Sequence, residues 1–116
     1  MIIVHGIPNC DTVKKARAWL AGRGVLHRFH DFKKDGVPME SLDHWLDTLG
    51  WERLVNRRGT TWRKLDAATQ ASVVDTACAR ALILREPSLI KRPVVSWPDA
   101  VTVGFDETDW HSRIAP

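Results

Sequence analysis

An apolar run, Ile2-Ile3-Val4, stops at the turn-forming stretch His5-Gly6-Ile7-Pro8-Asn9, and a helical pattern opens directly behind Cys10. Val13, Ala16 and Leu20 recur at helical spacing, with Lys14, Lys15 and Arg17 between them. This places Cys10 where a strand hands over to a helix N-terminus. Free backbone N–H groups and the positive end of the helix dipole stabilise an anion there. A thiolate is such an anion, and lowering a thiol's pKa makes it a nucleophile at neutral pH. Lys14, one turn further on, adds positive charge. The competing reading is an inert cysteine packed under a loop, since cysteine is among the most buried residue types. The strand-turn-cysteine-helix context favours the reactive thiol.

The rest of the chain builds on that unit. The helix is expected over residues 11–23, ended by Gly22 and Gly24, and a second strand from Val25 to Phe32. A strand-helix-strand unit of this length implies a right-handed crossover and parallel pairing. Lys33 to Pro38 reads as a solvated turn. Met39, Leu42, Trp45, Leu46 and Leu49 then recur helically, with Pro38 in the first turn and Gly50 as C-cap. Trp51 to Val55 makes one or two turns, and Asn56 to Arg63 is a polar, Gly-broken loop. Ala67 to Leu84 carries the strongest helical pattern, with Asp66 as its cap and Ala71, Val74, Cys78 and Ala81 on one face. Lys91 to Ser96 and Ala100 to Val103 read as strands of a hairpin across Trp97-Pro98-Asp99, and Asp106 to Arg113 as a last helix. The order β-α-β, helical block, β-β-α predicts an α/β domain with one four-stranded mixed sheet.

With 116 residues and no visible linker or repeat, the chain fits a single domain, residues 1–116. No window approaches the roughly 20 apolar residues of a membrane span. The N-terminus has neither a basic region nor a long apolar one, so no signal peptide is expected. Two cysteines make no disulfide framework, which predicts a reducing, cytoplasmic setting. The 17 basic and 14 acidic residues leave a net charge of +3, compatible with a small anionic substrate but too slight to argue for nucleic acid. His5, His27, His30, His44 and His111 are scattered, none at zinc spacing with a cysteine, so no metal site is expected. Most of the six tryptophans are expected to anchor the core.

Three stretches together resemble a known family: Asn9-Cys10-Asp11-Thr12-Val13-Lys14-Lys15-Ala16-Arg17, Arg58-Gly59-Thr60-Thr61-Trp62-Arg63-Lys64-Leu65 and Leu89-Ile90-Lys91-Arg92-Pro93-Val94-Val95. They are similar to the glutaredoxin-coupled arsenate reductases, the ArsC family, in the branch called YffB, a sister of the Spx regulators. The resemblance covers essentially the whole chain. It implies a thioredoxin-like fold with helices inserted between the β-α-β and β-β-α halves, at about residues 38–84. Cys10 matches the family's nucleophile, Arg92 its oxyanion-binding arginine, and Pro93 the usually cis proline beside the active cysteine. Arg58 matches an arginine of the inserted region in the Spx branch. Three departures stand out. The reductases' third arginine is missing where this chain reads Val103-Gly104-Phe105-Asp106. Gly6 stands where they commonly carry a histidine, and Val13 stands where Spx has the second cysteine of its Cys-x-x-Cys switch.

A lone activated cysteine needs an external thiol to resolve its adduct, and glutathione is the natural cytosolic one. Arginine grips a carboxylate or oxyanion with parallel hydrogen bonds, which suits Arg92 and Arg58 to an anionic group. Lys14 is a further candidate to stabilise the thiolate. Asn9 and Thr12 are candidates to hydrogen-bond the sulfur or to cap the helix start. Cys78 reads as core packing. The expected activity is that of a glutathione-dependent thiol reductase with no tightly bound cofactor, using glutathione as co-substrate and glutaredoxin as a possible partner. Two alternatives stand beside it: a genuine arsenate reductase, and an Spx-like regulator that binds RNA polymerase or another large partner without catalysis.

Overall fold

The strand β1 (Ile2–Gly6) lies inside the sheet, with a neighbour on each edge. A computed structural model describes residues 1–115. Parallel to β1 runs β2 (His27–Asp31), with Ile2 opposite His27 and Gly6 opposite Asp31. The helix α1 (Asp11–Gly22) makes the crossover between them. On the other side β3 (Val94–Trp97) pairs antiparallel, Val4 facing Val95, and β4 (Ala100–Val103) pairs antiparallel with β3. The order is β2-β1-β3-β4, the expected four-stranded mixed sheet. Trp97 lies opposite Ala100, so the hairpin turns on two residues, Pro98 and Asp99.

The second strand is shorter than Val25 to Phe32, and the solvated turn after it is partly helical. The Asp31 carboxylate accepts the N–H groups of Lys33 and Lys34 at 2.9 and 3.4 Å, starting the short α2 (Phe32–Asp35). These elements and the C-terminal segment form one compact unit, Met1–Asp35 with Arg92–Pro116. Val4, Ala16, Trp19, Leu20, Val95 and Trp97 pack on one sheet face around Trp110, which is 1% exposed. The final helix, after the intervening ones described below, is α8 (Glu107–Ile114), capped by the Asp106 carboxylate on the Asp109 N–H at 3.1 Å. It brings Trp110 edge-on to Phe105, Trp97 and Trp19, with ring centroids 4.7, 5.2 and 6.0 Å apart. Each such pair adds about 0.5–1.5 kcal/mol beyond the area it buries.

Gly36–Lys91 forms a second compact unit, all helical apart from one isolated bridge between Val55 and Ile90. In α3 (Met39–Leu49) Leu42, Trp45, Leu46 and Leu49 are buried, as the pattern predicts, whereas Met39, in the first turn, is exposed. Gly50 ends it at φ +83°, a conformation that side chains rarely adopt, and α4 (Trp51–Leu54) follows. The expected loop contains one helical turn, α5 (Thr60–Arg63). The long helix expected from Ala67 to Leu84 is two helices, α6 (Ala67–Ser72) and α7 (Thr76–Arg85). Asp66 caps the first, as anticipated, at 2.6 Å from the Thr69 N–H. The break comes at Val73-Val74-Asp75, where the Asp75 carboxylate accepts the Cys78 N–H at 2.8 Å and caps a new helix. Two β-branched residues followed by a good cap make a restart cheaper than continuation. The expected apolar stripe shifts with the break. Ala79, Leu82 and Ile83 are buried, Val74 is 71% exposed, and Cys78 is half-buried rather than a core residue. Four of the six tryptophans, Trp19, Trp45, Trp97 and Trp110, are buried, and Trp51 and Trp62 are half-buried.

Candidate active site

Cys10 is the N-cap residue of α1, with extended backbone at φ −97° and ψ 123°. Its N–H reaches back to the Ile7 carbonyl at 3.4 Å, closing the turn, and its carbonyl accepts the first helical bond from Lys14 N–H at 2.9 Å. The close seating of α1 on β1 depends on Gly6, because a Cβ there would lie 2.8 Å from Val13 Cγ2. The turn from Gly6 to Cys10 therefore runs tightly under the helix, and the Cys10 sulfur stands half-buried at the helix start.

The thiol is held below its ordinary pKa by a contest of opposing effects. Partial burial pushes it up; the Val13 N–H, the Arg92 guanidinium by hydrogen bond and by charge, and the Thr12 N–H together pull it further down. These donors and the guanidinium charge favour the thiolate over the neutral thiol, which is what lowers a pKa.

Arg92 reaches Cys10 from the segment that enters β3. The Arg92–Pro93 peptide bond is cis, and Pro93 is buried. The Pro93 carbonyl accepts the Gly104 N–H at 2.8 Å, and Gly104 has φ +86°. His5, 5% exposed, bonds the Val94 carbonyl through Nδ1 at 2.9 Å. Burial, partly offset by that bond and reinforced by His30, lowers the His5 pKa to about 4. Its ring lies 5.4 Å from His30 and 6.3 Å from Phe32.

Of the residues singled out in the sequence, the structure joins Cys10, Arg92 and the backbone of Thr12, and Pro93 follows Arg92 through a cis bond. Thr12 acts on the sulfur through its backbone N–H. Asn9 is exposed in the turn, and Lys14 is exposed on α1 and is not among the groups that act on the thiol. Arg58 belongs to the helical unit, where its N–H donates to Asn56 Oδ1 at 3.2 Å. Sequence reasoning passed over His5. The available signal was its position in an otherwise apolar, central strand, which buries the imidazole and obliges it to find a partner inside. Among the described residues no group of three His, Cys, Asp or Glu side chains is arranged to hold a metal ion, and no helix is long and apolar enough to cross a membrane.

A model of the ArsC family matches residues 5–112, spanning the Cys10 turn, the helical unit and the Arg92-Pro93 segment. The chain belongs to the ArsC family. The family's thioredoxin-like fold is the fold described above. A solved structure named YffB (PA3664) protein superposes with a TM-score of 0.93 at 43% identity, covering 99% of this chain and 100% of that one. A protein of Haemophilus influenzae, called uncharacterized, is 41% identical over 115 residues, 99% of this chain and 100% of its own length. More distant is the global transcriptional regulator Spx of Streptococcus agalactiae, 29% identical over 111 residues, covering 94% of this chain and 80% of Spx. Within the ArsC family, then, this chain couples a cysteine at the start of α1 to an arginine before a cis proline.

Proposed function

We propose that this ArsC-family protein is a glutathione-dependent thiol reductase with Cys10 as its single nucleophile. The observation that carries the reading is the Cys10 thiol held below its ordinary pKa by Arg92 and the first N–H groups of α1, against the effect of burial. The Cys10 thiolate attacks the glutathione sulfur of a mixed disulfide. A Cys10–glutathione disulfide forms, and the substrate leaves as a thiolate that takes up a proton. A second glutathione thiolate then attacks the glutathione sulfur of that adduct, giving oxidised glutathione and free Cys10 thiolate. The sum is an exchange: one glutathione thiol and the mixed disulfide give the substrate thiol and oxidised glutathione, with no resolving cysteine needed. Arg92 holds an anionic group of glutathione or substrate beside the sulfur. Glutaredoxin can replace the second glutathione.

The test is alkylation by iodoacetamide as a function of pH, with Cys10→Ser to remove the signal, together with mass spectrometry for a glutathione adduct after incubation with oxidised glutathione. A Cys10 thiol titrating near the free value of ~8.5 and taking up no glutathione would sink the reading. Turnover of arsenate with glutathione and glutaredoxin tests the narrower activity; the absence of the reductases' third arginine at Val103 to Asp106 argues against it.

The similarity to Spx favours a second reading, a regulator that works by binding RNA polymerase or another large protein. Val13 at the position of the second switch cysteine deprives it of a redox switch at this site. Retention of RNA polymerase by the Cys10→Ser variant would support binding independent of thiol chemistry.

A further inference from the structure

The stretch that carries Arg92 is tied down on both sides. Gly104 N–H holds the Pro93 carbonyl at 2.8 Å from the end of β4, and His5 holds the next carbonyl, that of Val94, at 2.9 Å from β1. The second tie is a side-chain bond across 89 positions of sequence, made inside the sheet by a residue 5% exposed. Ordinary ladder pairing already sets His5 opposite Val94. A histidine in place of an apolar residue adds a directed bond to the carbonyl two residues beyond Arg92. His5 also stands at the start of the turn that ends in Cys10, one residue before Gly6. One imidazole thus links the strand leading to the nucleophile with the strand following its arginine.

We propose that His5 is a positioning residue for the Cys10 nucleophile: its Nδ1–H, donated to the Val94 carbonyl, holds the Arg92-Pro93-Val94 segment so that the guanidinium stays aimed at the sulfur. A carbonyl can only accept, so the bond requires the Nδ1–H tautomer. The imidazole must also stay in a state compatible with its buried surroundings, the neighbouring His30 and Phe32 rings; the low pKa of His5 agrees with a neutral ring at neutral pH. The inference rests on the reading of Cys10 as the nucleophile.

The experiment measures the Cys10 titration midpoint by iodoacetamide in the full chain for the parent, His5→Asn, His5→Gln and His5→Phe. An asparagine amide nitrogen takes the place of Nδ1 and keeps the donor, whereas glutamine carries its amide further out, where Nε2 stood. His5→Asn is expected to keep the parental midpoint; His5→Gln and His5→Phe are expected to raise it. For a rise of one unit, the thiolate fraction below the midpoint falls about tenfold while its intrinsic nucleophilicity rises about threefold, leaving alkylation at pH 6 about threefold slower. A low parental midpoint unchanged in all three folded variants overturns the positioning role and leaves Cys10 as the nucleophile. A parental midpoint at the ordinary thiol value overturns the proposed function itself. Nitrogen-15 NMR of the parent histidines supplies a measurement that needs no variant to fold: His5 is expected as the Nδ1–H tautomer, and an Nε2–H tautomer overturns the proposal.

Discussion

A methyl group on Gly6 would come within 2.8 Å of Val13 Cγ2. Two of the three departures from the family resemblance, Gly6 and Val13, thus sit against one another in the packing. Val13, fully buried, occupies the space a side chain at position 6 would need. Gly6→Ala is expected to destabilise the protein by about 1–3 kcal/mol, the usual cost of overpacking. Val13→Ala in the same chain should recover part of that loss. A urea-denaturation double-mutant cycle reads the coupling, and strictly additive costs would show that the contact is relieved elsewhere.

Replacing Arg92 tests the electrostatics of the sulfur. Both its hydrogen bond and its charge pull the Cys10 thiol down, so Arg92→Ala is expected to raise the titration midpoint. Arg92→Lys should raise it less, since charge survives and the planar fork does not. Glutathione-adduct formation at pH 7 should slow in the same order. An unmoved midpoint in Arg92→Ala would leave the N–H groups of Val13 and Thr12 as the whole explanation.

His5 makes stability depend on pH. Its pKa is about 4 when folded and 6.5 as the ordinary value. The unfolded chain binds the extra proton between those values, so stability rises with pH through the window and is lost as pH falls from 6.5 towards 4. A difference of this size corresponds to about 3 kcal/mol. Denaturant midpoints for the parent should fall over that range more than those of His5→Phe, which has no such proton to take up. Parallel curves for the two would place the imidazole in a solvated setting.

Trp110 is the keystone of the sheet-bearing unit, 1% exposed with Trp97 and Phe105 edge-on to it. Trp110→Ala is expected to cost about 3–5 kcal/mol, a large part of a small domain's stability. Near-ultraviolet circular dichroism and the thermal midpoint should report it. Since Cys10 and Arg92 belong to the same unit, the thiol should titrate upward as that unit loosens.

Asp75 separates two helices where the residue pattern alone reads one. Its carboxylate lies below the usual range because it accepts the Cys78 N–H. That contribution is complete above the ordinary carboxylate pKa and disappears as pH falls through the lowered one. Asp75→Ala should speed amide exchange in the first turn of α7, with Asp75→Asn retaining most of the protection. Equal exchange in all three proteins would mean that burial of Ala79, Leu82 and Ile83 alone starts the helix.

What could be read from the residues divides along physical lines. The sheet was legible because its determinants are local: an apolar first strand, a strand-helix-strand unit of crossover length, and a hairpin turn at Trp97-Pro98-Asp99, which the structure narrows to Pro98-Asp99 by placing Trp97 in β3. Cys10 was legible for the same reason, since its turn and helix lie in one stretch. The Ala67 to Leu84 region was not. Helical spacing of small apolar residues continues through Val73 and Val74, and only the capping geometry of Asp75 reveals the restart. Arg92 and Pro93 were found through family resemblance, because nothing within their own stretch says that a cysteine lies opposite. His5 was passed over because its partner, the Val94 carbonyl, is 89 positions away.

That separation has a consequence for the life of the chain. The unit holding Cys10 is assembled from both ends of the sequence, Met1–Asp35 and Arg92–Pro116. During synthesis the cysteine emerges well before the arginine and the β3 strand. Until they arrive β1 lacks its antiparallel neighbour, and the thiol has no guanidinium to acidify it. The full acidification of the Cys10 thiol therefore requires a contact between segments far apart in the chain, so its titration reports whether β3 has joined the sheet.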